Sequence, residues 1–227
     1  MNENQLNKTS FAKRVIKGDD VLFEIEKFSC YRVVTEAQKK IAYSLRYKAY
    51  IADNQIEPRA SGLFFDEYDD KENSFTYIVE YNGEPIGSIR ACVYSKDLGW
   101  LDIPAFHVYK DSVEGGLDLN KSFMEINKFV ILSEYRRQST RGKLRLFRKM
   151  VSVARKYGVY YVLAGIKASQ ARFYSILFFE KISDFKDYPL LKFKPALFVS
   201  KFGDYDRLYD EQPKEEVFSG IRRYILE

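Results

Sequence analysis

Alternation of apolar and polar positions divides the chain into short strands and a few amphipathic helices. Residues 21–34 (VLFEIEKFSCYRVV) are rich in β-branched and aromatic side chains and read as a strand. Thr35-Glu36-Ala37-Gln38 follows as a capping box, with Thr35 as N-cap and Gln38 reaching back to it. It opens a helix to about Ala52, with Ile41, Leu45, Tyr47, Ala49 and Ile51 as apolar positions. Residues 53–72 read as an irregular loop ending in the acidic run Asp66-Glu67-Tyr68-Asp69-Asp70. The clearest local signal is a hairpin: strand 75–81, a type I′ turn at Asn82-Gly83, and a returning strand from Pro85 to Tyr94. Residues 96–120, with Pro104, Gly115 and Gly116, read as loop with a short helix, and Phe123–Leu132 as another strand. From Thr140 to Tyr157 a helix buries Leu144, Phe147, Val151 and Ala154, and Gly158 closes it. Val159–Ile166 is nearly all apolar, which marks a central strand covered on both faces. Residues 168–181 read as a helix, Ala196–Ser200 as a last strand, and Glu215–Leu226 as an amphipathic helix. The expected class is α/β: one domain over residues 1–227, a mixed sheet with helices on both faces.

Composition narrows the chemistry. An apolar share of 46% and a charged share of 30% over 227 residues describe a folded chain with one sizeable core. His107 is the one histidine, so zinc sites with two histidines and the 2-His-1-carboxylate triad are excluded within one chain. No GxSxG elbow accompanies His107. Cys30 and Cys92 are far apart, in no CxxC spacing, and read as buried thiols of a reducing compartment. Acid–base chemistry therefore falls to carboxylates, tyrosines or water, with His107 as a minor candidate. No run approaches the ~18 apolar residues of a membrane span, and the polar N-terminus lacks a signal-peptide core. A cytoplasmic protein without integral membrane association is expected. The net charge of +5 is unevenly spread: residues 134–156 hold nine basic residues and one acid. Such a block attracts phosphates, nucleic acid or an acidic protein, or is simply a solvated helix face.

The order of elements over residues 30–200 resembles the GNAT acyltransferase superfamily, with a mostly antiparallel central sheet flanked by helices. Strand 123–132 runs into Arg137-Gln138-Ser139-Thr140-Arg141-Gly142 and a helix. This is similar to the superfamily's Q/R-x-x-G-x-G/A loop, with Thr140 where the first glycine belongs. Backbone N–H groups and the helix dipole favour a phosphate there. Ala171-Arg172-Phe173-Tyr174 resembles the A-x-x-(F/Y)-Y helix whose tyrosine protonates the departing thiolate; Phe178-Phe179 replaces the usual Gly-Phe. A narrower pattern also matches: Arg46-x-x-x-Tyr50, Asp66-x-x-Asp69, Gly87-Ser88-Ile89-Arg90 and Glu125-x-x-Lys128-Phe129, in order. It looks like the branch shared by acyl-homoserine-lactone synthases and N-acyl amino acid synthases, with Tyr50 replacing Phe and Lys128 replacing Arg. The lactone synthases carry a tryptophan where this chain has Ile56, which favours the amino-acid-acylating branch.

The resemblance implies an N-acyltransferase moving a fatty acyl group from acyl carrier protein or acyl-CoA to the amine of an amino acid. It implies no metal and no tightly bound cofactor, the phosphopantetheine thioester being the donor substrate. A lactone synthase, a GNAT-fold protein without turnover and a basic nucleic-acid binder are the alternatives; no RNP or zinc-finger motif supports the last. Glu125 is the candidate base and Tyr174 the candidate acid. Against this, Glu125 could pair with Arg90 or Lys128 and only shape the pocket, and Tyr174 could be plain core. Arg46, Asp66, Asp69, Arg90 and Lys128 are assigned to the acceptor side as a buried acid–base network, with a surface ion pair or a calcium loop as competing readings. Val130, Ile131 and Leu132 would offer backbone to the pantetheine arm, and Arg137, Thr140, Arg141, Gly142 and Lys143 would hold donor phosphate. Leu63, Phe64, Phe65, Phe106, Phe173 and Phe178 could line an acyl tunnel or be ordinary core.

Overall fold

The capping box at Thr35 forms as its spacing predicts. Thr35 Oγ1 accepts the Gln38 N–H at 3.2 Å, and Gln38 Oε1 accepts the Thr35 N–H at 3.1 Å. It starts helix α1, Glu36–Ala52. The computed structural model describes residues 12–17, 20–25, 28–176 and 178–202, so the helix expected at 215–226 lies outside the described residues. The strand expected over 21–34 is in fact two. β1 (Ala12–Lys17) and β2 (Asp20–Ile25) form their own antiparallel hairpin, and β3 (Phe28–Arg32) belongs to the main sheet.

The main sheet continues with β4 (Ser74–Tyr81) and β5 (Glu84–Tyr94), joined by Asn82 and Gly83 at φ 51° and 85°. Positive φ at both positions is what the type I′ turn requires. Residues 96–120 hold two short helices, α2 (Pro104–Val108) and α3 (Lys110–Gly116), where one was expected. β6 (Phe123–Ile131), α4 (Thr140–Lys156) and β7 (Tyr161–Ile166) follow, and Gly158 leaves α4 at φ 55°. The helix expected over 168–181 is shorter: α5 spans Ala171–Ile176 after one 3-10 turn, and β8 (Glu180–Lys181) is already sheet. β9 (Ala196–Lys201) completes the order β3-β4-β5-β6-β7-β9-β8. Only β6 and β7 run parallel among these pairs.

Strand alternation divides the core between two faces. Val79, Ile89, Ala91 and Ile126 meet Leu146, Phe147, Met150 and Val153 of α4. The helix is therefore turned slightly from its expected stripe, and Leu144 and Val151 are only half-buried. Ile78, Val130 and Leu132 meet Ala42, Leu45 and Ala49 of α1 on the other face. Further along that face, α2 and α3 bring Ala105, Tyr109 and Val113 onto Cys92, Phe123 and Leu163.

One irregularity shapes the middle of the sheet. β6 pairs with β7 only from Phe123–Tyr161 to Ile126–Ala164. Beyond that, β6 stays with β5 as far as Ile131, and β7 stays with β9 as far as Ile166. The two parallel strands thus part into a wedge. At the same level Lys128 takes φ 51° and the β5–β6 register slips between Ser88 and Arg90, a β-bulge that bends β6 away and re-aims its side chains. Gly87 lets β5 follow: a Cβ there would run into the Val130 carbonyl and the Ile131 side chain.

Candidate active site

On the α1 face, the residues of the narrow motif converge in one buried ionic cluster. Arg90, on β5, is fully buried and forks onto Asp66 at 2.6 and 3.0 Å. The same guanidinium reaches Asp69 at 3.0 Å, and its Nε donates to Asn127 Oδ1 at 2.8 Å. Arg46, from α1, donates to Asp69 at 2.7 Å and to Thr76 Oγ1 at 3.1 Å. The bulge turns Lys128 onto Asp66 at 2.9 Å and over the Phe64 ring at 4.6 Å. Asp66 and Asp69 hold these positions because they cap a 3-10 turn: Asp66 accepts the Tyr68 N–H, and Asp69 accepts the Asp66 N–H. Burial opposes charge on Asp66, but Lys128 and Arg90 outweigh it and hold its carboxyl well below the ordinary range. Asp69 is lowered in the same way against burial by Arg46 and Arg90. Lys128 moves down, first through burial and then through its cationic neighbours, against the pull of Asp66. The two carboxylates are thus engaged by cations, which disposes of both the surface-pair and the calcium-loop readings.

Among the described residues Glu125 makes no ion pair within this cluster and is joined to it through Asn127. It lies on β6 one residue before pairing with β7 ends, is 2% exposed, and its Oε2 accepts the Ala105 N–H of α2 at 2.6 Å. It makes no salt bridge with Arg90 or Lys128 among the described residues, so the pairing alternative is not what the fold builds. Burial raises its pKa from 4.5 to about 7, although Asn127, the Ala105 N–H, Arg90 and Lys128 all favour the ionised form. A buried carboxyl poised near neutrality, at the apex of a wedge, can accept a proton there.

Tyr174 lies on the opposite face, packed edge-on to Phe147, Phe173 and Phe179. Burial pushes its phenol well above the ordinary range, and Tyr50 of α1 adds to the shift. That influence crosses the sheet, as the wedge permits. Leu132 N–H is committed to Ile86 O at 2.9 Å, so of the three expected backbone positions it is not free to donate to a donor arm. Alternation turns Ile131 the other way, toward the wedge, where its carbonyl accepts from Arg136 Nε at 3.1 Å.

At the start of α4, Arg137, Thr140 and Arg141 are exposed. Ser139 is the N-cap but makes no side-chain cap, and its buried Oγ has no partner among the described residues. Lys143 folds back to the Arg136 carbonyl at 3.0 Å. Gly142 sits inside the helix under Phe28, where a Cβ would come to 3.2 Å of the ring, so its smallness serves packing against the sheet. Of the residues that could line an acyl tunnel or be ordinary core, the four placed by ring contacts pack against separate neighbours. Phe64 packs on Tyr50, Phe106 on Tyr94 and Phe123, Phe173 on Phe147, and Phe65 is exposed against Tyr43. His107 is exposed on α2, bonded to Asp102, which also accepts from Tyr68.

Three participants carry no motif of their own. Asn127 joins Arg90 to Cys92 and shares Glu125's face, which alternation within β6 could have indicated. The Ala105 N–H comes from the short helix α2, and Tyr188, whose phenol is raised by burial and then by the charge of Glu125, comes from the loop between β8 and β9; no periodicity encodes either placement.

A mixed seven-stranded sheet that splays at the one parallel pair among its described strands, with helices on both faces, has the fold of the GNAT-like acyltransferases. Within that class the chain belongs to the N-acyl amino acid synthase FeeM family, whose family model matches residues 41–200. It is an N-acyltransferase. No curated protein matches the chain by sequence. Among solved structures it is similar to FeeM, an N-acyl amino acid synthase from uncultured soil microbes, at TM-score 0.66 and 14% identity, covering 82% of this chain and 99% of that one. It is also similar to BjaI, a CoA-dependent acyl-homoserine lactone synthase, at TM-score 0.57 and 15% identity, covering 88% and 100%. A putative N-acetyltransferase from Lactobacillus plantarum gives TM-score 0.53 and 14% identity, covering 77% and 97%. None of the described helices is long and apolar enough to cross a membrane.

Proposed function

We propose that the protein transfers a fatty acyl group from a pantetheine thioester, on acyl carrier protein or coenzyme A, to the amine of an amino acid. The observation that carries the reading is Glu125: a buried carboxyl with a pKa of about 7, one residue from where β6 and β7 part. In its ionised form it takes the proton of the acceptor amine, directly or through water. The amine then attacks the thioester carbonyl, and backbone N–H groups of β6 facing the wedge, Ile131 first, receive the developing oxyanion. The thiolate departs toward the Tyr174 side. A phenol held above its ordinary value keeps its proton against a thiol of pKa ~8.5, so Tyr174 donates a hydrogen bond to the sulfur and does not surrender its proton outright.

The ionic cluster supports an acceptor that bears a carboxylate. Arg46, Arg90 and Lys128 carry three positive charges against Asp66 and Asp69, and Lys128 has one carboxylate partner. While Glu125 is protonated the cluster is one cation in excess. The first-turn N–H groups of α4, with Arg137 and Arg141, suit the donor's phosphate, and the basic face of the same helix suits an acidic carrier protein.

The test is incubation with acyl carrier protein and CoA thioesters of several lengths and each proteinogenic amino acid, with products read by mass spectrometry. N-acyl amino acids are expected. Acylated homoserine lactone as the sole product, formed from S-adenosylmethionine, overturns the choice of acceptor. Thioester left intact with every amine overturns the activity.

A further inference from the structure

Residues 182–195 join β8 to β9 almost without regular structure, yet they are fixed at both ends. At the sheet, Ile182 N–H donates to Leu197 O at 2.9 Å, Lys186 N–H donates to Pro195 O at 3.0 Å, and Ser183 Oγ accepts from Leu197 N–H at 2.7 Å. At the far side, Lys192 N–H donates to Gln55 O at 2.8 Å. The Lys192 ammonium also reaches Glu57 at 2.9 Å and Asn54 Oδ1 at 3.2 Å. The segment therefore crosses the α1 face from the sheet to the turn that ends α1. Phe185 and Leu190 point outward, 41% and 55% exposed. Tyr188, between the tethers, turns inward and packs on the core of Cys92, Tyr109, Leu163 and Leu197. There its phenol is pushed far up by burial and then by the charge of Glu125, with Arg90, Asp66 and Tyr109 also within electrostatic reach.

We infer that residues 182–195 form a strap closing the acceptor side of the active site, and that Tyr188 is the positioning residue that keeps water off Glu125. The inference rests on Glu125 being the base. Glu125 is faced by Arg90 and Cys92 from β5, Asn127 and Lys128 from β6, and the Ala105 N–H from α2. Tyr109, and Tyr68 of the 3-10 turn, also respond to its charge. Most of these groups favour the carboxylate, so its neutral form at pH 7 depends on dryness, and the strap is the least regular part of the wall that supplies it. The outer tether is a partly exposed lysine on an exposed glutamate, the kind of pair that salt weakens readily. Opening at Lys192 would admit the acceptor; closing would restore the base to a pKa matched to an amine at neutral pH.

The titration of Glu125 can be followed by carboxyl-13C NMR of glutamate-labelled protein without substrates, with Glu125→Gln for assignment. The native protein is expected to titrate near pH 7. Tyr188→Phe keeps the ring and should titrate there too. Tyr188→Ala should fall by one pH unit or more toward 4.5, and the acid limb of its kcat/KM profile should move with it. If Tyr188→Ala does not fold, Lys192→Ala, which empties no core position, should shift the titration in the same direction. A folded Tyr188→Ala or Lys192→Ala protein that titrates like the native one overturns the strap. A Tyr188→Phe shift as large as that of Tyr188→Ala overturns water exclusion as the cause. Because the titration needs no substrate, an unchanged titration in an active enzyme removes the strap alone. A shifted titration in a protein that acylates no amine removes the base role alone.

Discussion

Replacing Glu125 by glutamine tests both the electrostatics and the chemistry of the site. The carboxyl is 2% exposed, and burial raises its pKa from 4.5 to about 7. A group whose folded pKa lies above its unfolded value takes up a proton on folding. Its stabilising contribution is complete below pH 4.5 and is lost as pH rises through about 7. With 1.36 kcal/mol for each pH unit, the loss is roughly 3 kcal/mol. Glutamine keeps the shape and still offers an oxygen to the Ala105 N–H, but it has no charge to bury. The variant should therefore match the native protein near pH 4.5 and exceed it by roughly 3 kcal/mol at pH 8. In a chain of this size that corresponds to about 6–12 °C in Tm. Thermal or urea unfolding at both ends of the range reads the difference directly. If Glu125 is the base, acyl transfer should meanwhile fall by about 10²–10⁴. A Tm difference that does not change between pH 4.5 and 8 would refute the desolvated carboxyl. Near-native turnover in a variant stabilised at pH 8 would refute the base while leaving the electrostatics intact.

Asp66→Ala should be strongly destabilising, by about 3–5 kcal/mol, because Arg90 and Lys128 would stay buried without their shared counterion. The depressed pKa values of Asp66 and Asp69 carry the opposite sign to that of Glu125: their contribution is present above about pH 4 and is lost on acidification, so native-protein unfolding should set in below that pH when followed by circular dichroism. Charge reversal at the exposed Arg137 and Arg141 should raise KM for a carrier-protein donor and flatten its salt dependence, with kcat nearly unchanged; an unaltered KM at low salt removes the docking role. Tyr174→Phe should slow single-turnover transfer by about tenfold or less, the worth of one hydrogen bond; a loss above a thousandfold would mean that the phenol gives up its proton.

Local rules accounted for much of this fold, and they stopped where packing decides. Thr35 and Gln38 cap α1 because a four-residue pattern contains both partners of the bonds. Asn82 and Gly83 make their turn because two adjacent positions accept positive φ. The ionic cluster was legible only through the family resemblance, since Arg46, Asp66, Asp69, Arg90 and Lys128 follow the order of that branch's motifs. What spacing could not show is why Lys128 joins it. On a regular strand, alternation would carry Glu125 and Asn127 to one face and Lys128 to the other. Lys128 reaches Asp66 because the bulge takes it to φ 51° and slips the register against Ser88 and Arg90. The same bend accompanies the parting of β6 from β7, so the irregularity that delivers a cation to Asp66 also marks where the two parallel strands separate. Tyr188 shows the opposite limit. Nothing within several residues of it has periodicity, and its place is fixed by bonds to Gln55, Pro195 and Leu197, two of them across a sheet edge and one from the end of α1. A residue placed by its loop's tethers leaves no mark in local pattern. The dryness of Glu125, on which its pKa depends, therefore had to be read from the assembled chain.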